Sequence, residues 1–362
     1  MRIGLVRRGY SSSGGAESYL FRFANAARTA GHEPVLICGP EWPREVWPHD
    51  MIVVAGKTPG EFADRLDDRR ASGGWDVLFS LERVWASDVY RAGDGVHSAW
   101  LDRRAQFEPA WRGWFRKFQR KHREIIELEC ALFTGGARRV IANSQMVKDE
   151  IIRLYGTPAE HVHVIHNGVP IHSAEPGARD KVRAELGLAP TEYVALFAGT
   201  GWDRKGLRHA VAAVNALKIP ITLLVAGRGG RGEQRALPPS DRVRFLGALP
   251  GEKLRAVLAA ADVFILPTIY DPFSNACIEA LAAGLPVITT TANGFAEIIA
   301  HGEEGHAVAP GDTRALADAL ATWADPARRD AVRPRLLEKA AHFSVEKNLT
   351  RTLEVITALH LC

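Results

Sequence analysis

Two carboxylates stand in the stretch YDPFSNACIEALAAGLPV (270–287), Asp271 and Glu279, with seven residues between them, just after an apolar run that ends at Pro267. Ser274 and Asn275 are residue types that cap a helix start. The N–H groups of 274–277 are then expected to face a phosphate or a sugar hydroxyl. Glu279, one turn further, can accept hydrogen bonds from a ribose diol, although alone it reads as an ordinary acid in a helix's first turn. A second loop, GTGWDRKGL (199–207), sets Arg204 and Lys205 beside the start of a helix that Gly206 opens. Two cations there oppose the helix dipole, and an anion between them relieves the repulsion. Arginine grips a phosphate with two N–H groups and lysine acts as a point charge. The bland alternative is two solvated surface charges. A third loop, SSSGGAES (11–18), has Gly14 and Gly15, which let main-chain N–H groups approach an anion. It is no GxGxxG fingerprint and gives little support to dinucleotide binding.

These loops need elements to hold them. Short apolar strands alternate with helical segments along the chain: IGLV, EPVLICG, WDVLFSLE, RRVIANS and HVHVIHNGV in the first half, then YVALFAGT, ITLLVAG, RVRFLGAL, VFILPT and PVITTT. Ser144 is a plausible N-cap for QMVKDEIIRLYG. Helical stretches are expected to begin near Glu17, Lys205, Gly251, Asn275 and Phe295. Alternation of this kind implies parallel sheets with right-handed crossovers. The chain has 362 residues, which suits two domains. The reading is α/β, two Rossmann-like domains, with PIHSAEPGARDK (170–181) as the linker. Ligands of such sheets bind beyond the carboxyl ends of the strands, and with two domains the expected site is the cleft between them.

Composition is that of a soluble globular protein, and the formal net charge of +4 is mild. Cys38, Cys130, Cys277 and Cys362 form no CxxC pair and are expected to be free thiols in a reducing compartment. Met1 leads straight into a strand, so no leader is expected, and no apolar run reaches the roughly 20 residues of a membrane span. The expected location is the cytoplasm.

The segments GTGWDRKG, VAGRG, FLGAL, AADVFILPTIYDPFSNACIEALAAGLPVITT and NGFAEII occur in an order and spacing that resemble the family 4 retaining glycosyltransferases of the GT-B fold. Asp271 departs from the glutamate usual at the first acidic position. Within the family the chain is similar to the lipopolysaccharide core glucosyltransferases, with SDVYRAGDGVH (87–97) similar to their acceptor-side segment. The resemblance implies an N-terminal acceptor domain (1–170), a C-terminal nucleotide-sugar domain (171–342) and a last helix (343–362) that crosses back to the first domain. It implies that Arg204 and Lys205 neutralise the leaving diphosphate of a UDP-sugar, with Asp94 and His97 on the acceptor side as the other catalytic candidates. Gly14, Gly15, Arg228, Asp271, Phe273, Ser274, Asn275, Ala276, Cys277 and Glu279 would hold the donor, Asp271 facing the transferred sugar. There is no DxD motif, and neither a metal nor a cofactor is expected. The implied reaction moves a hexose, glucose, to a glycan or glycolipid such as the lipopolysaccharide core. A GT-B sugar-nucleotide epimerase, an NAD-dependent oxidoreductase and a non-enzymatic glycan- or membrane-binding protein are the rival readings.

One further stretch, AWRGWFRKFQRKHREI (110–125), spaces Trp111, Trp114, Phe115 and Phe118 on one helical face. Arg112, Arg116, Lys117, Arg120, Lys121 and Arg123 surround them, with no acid before Glu124. A basic, aromatic helix of this type lies in a bilayer interface. Peripheral binding to the anionic inner leaflet is therefore expected, against the plainer reading of core aromatics and solvated cations. Nothing in the chain reads bases, so nucleic acid is not an expected partner.

Overall fold

A computed structural model of the chain describes residues 1–11, 15–71, 73–108, 119–171 and 177–359. The chain divides into two compact units, Met1–His166 with Glu346–Cys362, and Asn167–Val345. The first unit holds seven strands: β1 (Arg2–Val6), β2 (Glu33–Cys38), β3 (Asp50–Val53), β4 (Val77–Ser80), β5 (Ser87–Ala92), β6 (Ala137–Ala142) and β7 (Val162–Val164). They pair in parallel in the order β3-β2-β1-β4-β5-β6-β7. The second unit holds β8 (Val194–Ala198), β9 (Thr222–Ala226), β10 (Val243–Gly247), β11 (Val263–Leu266), β12 (Val287–Thr290) and β13 (Gly305–Val308). Their order is β10-β9-β8-β11-β12-β13, again all parallel.

The central strands β8, β9, β11 and β12 are buried along their whole length. Helices cover both faces of a parallel sheet, so such strands read as unbroken apolar runs. Strand order reverses between β1 and β4 and between β8 and β11, and those switch points are where the loops diverge to leave room for a ligand.

Three strands lie outside the expected set: β3, β5 and β13. β5 is the informative one, because SDVYRA looks polar yet sits between β4 and β6 with Ser87 and Arg91 buried. The Arg91 guanidinium stacks on the Tyr19 ring at 3.9 Å, which lets a charge occupy a sheet interior. The expected linker contains the start of a helix, Ala178–Glu185, and its residues 172–176 lie outside the described residues. The C-terminal helix, Val345–Ala358, is anchored on the first unit's own residues. Tyr19 Oη meets Thr352 Oγ1 at 3.2 Å, and Asn348 Nδ2 donates to the His166 carbonyl at 2.5 Å.

Candidate active site

In the second unit the loops after β8, β9, β11 and β12 all leave the carboxyl edge of the sheet, and two of them flank its switch point. After β8 the chain turns through Gly199–Gly201, makes one helical turn (Trp202–Lys205), breaks at Gly206 and starts the helix Leu207–Ala216. Gly206 has φ 75°, and a Cβ there would stand 1.9 Å from the Pro267 carbonyl, so only glycine lets this loop close on the one after β11. The two loops are then stitched together. Ile269 N donates to the Arg204 carbonyl at 2.9 Å, Thr268 Oγ1 to the same carbonyl at 2.8 Å, and Arg204 Nη1 to the Tyr270 carbonyl at 3.3 Å. Lys205 Nζ forms an ion pair with Asp271 Oδ2, with side-chain exposures of 13% and 7%.

The Asp271 carboxylate, expected to face the transferred sugar, is buried against Lys205 in the ligand-free chain and is tied there to the cation loop. The 274–277 turn corrects an expectation. Ser274 N donates to Asn293 Oδ1 (3.2 Å) and Cys277 N to the Ser274 hydroxyl (3.4 Å), so these two amides are satisfied within the turn. Only Asn275 N and Ala276 N, orphan donors of the helix Asn275–Ala282, are left to meet an anion. Phe273 and Cys277 are buried at 3% and 0% exposure, and their side chains support the turn from beneath. Burial pushes the Cys277 thiol up to about 12, so it stays neutral. Ser274 is the helix N-cap as expected. Glu279 is half-buried on the first turns of that helix, and Arg228 is exposed after β9, its carbonyl accepting from Gly201 N at 3.3 Å.

Asn293 carries much of this geometry, and the sequence did not single it out. It is 1% exposed. Its Oδ1 accepts from Ser274 N and from Phe295 N (3.1 Å), and its Nδ2 donates to Thr289 Oγ1 (2.9 Å) and Cys277 Sγ (3.4 Å). One amide side chain thus binds the loop after β12 to the donor turn after β11. The only sequence signal was its place at the head of NGFAEII, directly after a strand. Asn167 is a second such residue, donating to Asn275 Oδ1 (2.8 Å) and the Phe273 carbonyl (3.3 Å).

The first unit gathers its own cluster at the carboxyl edge of β1, β4 and β5. Arg7, after β1, bridges Glu17 (3.2 Å) and Glu82 (3.6 Å). Asp94 is exposed on the turn after β5, and its charge acts on Arg7 and Glu82. His97 opens the helix His97–Ala105, which has no side-chain cap of its own. A fully buried carboxylate supplies one: Glu129 accepts from His97 N (2.6 Å), Ser98 N (3.1 Å), Tyr155 Oη (2.7 Å) and Arg83 Nε (3.1 Å). Its negative charge at a helix N-terminus is satisfied by the orphan N–H groups and the arginine together. His97 Nε2 lies 3.0 Å from His122 Nδ1. Burial, with Arg83 nearby, lowers the His97 imidazole to about 4, so it is neutral at pH 7. Gly15 begins the helix Gly15–Thr29. Gly14 lies outside the described residues, as do Trp111, Trp114, Phe115, Arg116, Lys117 and Phe118 of the expected membrane helix. The described part of that stretch is a helix from Arg120 to Ala131, in which Arg120 Nε pairs with Glu124 at 2.8 Å and Lys121 is exposed. No helix among the described residues is long and apolar enough to cross a membrane, and none of their His, Cys, Asp and Glu side chains form a group able to hold a metal ion.

Two parallel Rossmann-like sheets with these loops define a GT-B architecture. The comparisons with known proteins agree. Residues 13–173 match the family "Glycosyltransferase Family 4" and residues 192–325 match "Glycosyl transferases group 1". The chain belongs to the family 4 glycosyltransferases of the GT-B fold. WaaG, a glycosyltransferase involved in lipopolysaccharide biosynthesis, superposes with a TM-score of 0.80 at 19% identity, over 98% of this chain and 99% of that one. HepE of Anabaena, solved with UDP and glucose, gives a TM-score of 0.75 at 21% identity over 99% and 100%. D-inositol 3-phosphate glycosyltransferase 1 of Catenulispora acidiphila is 33% identical over 239 residues, 61% of this chain and 57% of the relative. The matched part spans about half the length of the curated relatives.

Proposed function

We propose that the protein is a retaining glycosyltransferase that moves glucose from UDP-glucose to a glycan or glycolipid acceptor. The observation that carries this reading is the stitching of the Arg204–Lys205 loop to the Asp271–Ala276 turn across the switch point of the second sheet. A diphosphate entering there meets Arg204, Lys205 and the amides of Asn275 and Ala276. Its charge competes with Asp271 for the lysine ammonium, and Asp271, once released, can turn to the sugar hydroxyls. Glu279 takes the ribose. In the reaction the bond from the sugar's anomeric carbon to the β-phosphate oxygen breaks while the acceptor oxygen bonds to the same face. The acceptor proton passes to the departing phosphate, and UDP leaves with its new charge held by the two cations. This scheme assigns no step to a metal ion, and activity is expected to persist in excess chelator.

Glucose as the transferred sugar is favoured by the UDP and glucose complex of HepE, and a lipopolysaccharide core acceptor by the involvement of WaaG in lipopolysaccharide biosynthesis. Among the sequence relatives are a D-inositol 3-phosphate glycosyltransferase and a glycogen synthase, so an inositol phosphate and a glucan are the rival acceptors. Arg120 and Lys121, with the aromatic and basic residues before them, favour peripheral docking on anionic inner-leaflet lipid, which would put the enzyme beside a lipid-borne acceptor. Incubation with UDP-glucose, UDP-galactose and UDP-N-acetylglucosamine, scored for UDP release with and without lipopolysaccharide core acceptor, tests the reading. Release from none of them would end it.

A further inference from the structure

In the first unit the helix Arg120–Ala131 holds one residue at two points. Glu129 and His122 stand close to two helical turns apart on it, so they lie on one face. Glu129 accepts from the main-chain N–H of His97 at 2.6 Å. His122 meets the ring of the same residue. His97 Nε2 lies 3.0 Å from His122 Nδ1, and the two imidazoles stack with centroids 5.1 Å apart and planes 30° apart. Arg83, paired with Glu129, also donates to the Gly95 carbonyl at 2.9 Å. The turn that carries Asp94 and His97 is thus tied down on both sides of Val96.

The amides that Glu129 caps account for Glu129. They do not account for His122, because the helix start at His97 needs no imidazole beside it and an apolar ring would pack there as well. What an imidazole adds is a nitrogen. A neutral imidazole ordinarily carries its proton on Nε2. With both rings in that form, His97 Nε2–H donates and the bare Nδ1 of His122 accepts, so neither ring is forced from its ordinary tautomer. The bond made by one ring nitrogen then decides what the other presents. His97 Nδ1 makes no hydrogen bond among the described residues and is not sealed from solvent. It is left as a lone pair. Protonation would remove that lone pair, and the surroundings oppose it: burial, then Arg83, His122 and Lys121 disfavour the charged ring, with Glu129 alone acting the other way.

We propose that His122 is a positioning residue, which holds the His97 imidazole with Nδ1 bare and outward as the hydrogen-bond acceptor that orients a hydroxyl of the acceptor sugar. This rests on the reading of the chain as a transferase whose acceptor meets His97. The proton of the attacking hydroxyl still passes to the departing phosphate; His97 takes a hydrogen bond and no proton.

Two substitutions separate the nitrogen from the ring. His122→Phe keeps a ring to stack and has no acceptor. His122→Asn loses the ring and puts an amide oxygen where Nδ1 stood. Nitrogen-15 NMR of the full chain labelled at histidine, with the His97 signals assigned by their loss in His97→Gln, reads the tautomer and needs no activity. In the wild type at pH 7, Nε2 should be the protonated nitrogen of His97 and Nδ1 the bare one. His122→Asn should keep that pattern, and in His122→Phe the proton should exchange between the two nitrogens. UDP release from UDP-glucose with lipopolysaccharide core acceptor should follow the tautomer. His122→Phe should lower kcat about tenfold, the effect of one lost neutral hydrogen bond, and His122→Asn should stay near the wild type, with the affinity for UDP unchanged in both. A protonated Nδ1 in the wild type overturns the proposal. So does a His97 tautomer that His122→Phe does not disturb, or a kcat that His122→Phe leaves unchanged or that His122→Asn lowers equally. A wild type that releases UDP from no donor ends the transferase reading instead, and the nitrogen signals then decide the bond between His97 and His122 on their own.

Discussion

Lys205 has two roles that a pair of substitutions separates. Its ammonium neutralises the nearly buried Asp271 carboxylate, and in the proposed reaction it stabilises the departing diphosphate. Lys205→Ala should lower kcat by about 10²-fold or more. It should also lower the melting temperature, because breaking a buried pair from one side strands the other charge. Lys205→Ala with Asp271→Asn should recover the melting temperature and none of the turnover. Recovery of both in steady-state kinetics would make the lysine a purely structural partner. At Glu279 the test is affinity: Glu279→Ala should weaken UDP binding by about 10- to 100-fold, the equivalent of a charge-assisted hydrogen bond of about 1.5–3 kcal/mol. Equal affinity by calorimetry would return Glu279 to an ordinary acid in a helix's first turns.

At the scale of elements, the donor turn is held by what lies behind it. Asn293→Ala removes the acceptor of two buried amides, Ser274 N and Phe295 N, at a cost of about 1–3 kcal/mol for each unsatisfied group. The expected result is a lower melting temperature together with a raised KM for the UDP-sugar and a smaller change in kcat. Asn293→Asp keeps the accepting oxygen and loses the donors to Thr289 and Cys277, so it should fall between wild type and alanine on both measures. A KM unchanged in both variants would show that the turn keeps its shape without this side chain. The same logic explains the helix His97–Ala105, whose start depends on Glu129, 32 residues further along the chain.

For the whole molecule, the histidines set a pH dependence of stability. His97 and His306 are lowered by burial to about 4, and burial also lowers His32, His49, His163 and His209 from 6.5. Below pH 6.5 the unfolded chain takes up protons at these sites that the folded chain refuses. Stability is therefore full above pH 6.5 and declines as pH falls from 6.5 toward 4. Thermal melts between pH 7.5 and 5 should show this loss before the carboxylates titrate. His306→Gln and His97→Gln should each make the slope shallower. A melting temperature that is flat over this range would contradict the burial of these rings.

Much of the architecture was legible in the chain itself. Buried parallel strands such as VALFA, TLLVA and VFIL are apolar on both faces, so they announce themselves as unbroken runs. The cation loop and the cap at Ser274 were also visible, because Gly206 before a helix and Ser-Asn after a strand are local signals that the backbone obeys without help from distant residues. Tertiary structure decided the rest. SDVYRA carries no apolar run, and it becomes a strand because Tyr19 offers a ring to Arg91 and the neighbouring strands bury it. That Asp271 pairs with Lys205 is decided only when the loop after β8 folds back and brings the lysine to it. Asn293 and Glu129 carry no local pattern at all. Their importance lies in the distant amides they satisfy, and only the packing of strand against strand and helix against helix brings those amides within reach, since a buried N–H must find an acceptor wherever in the chain it lies.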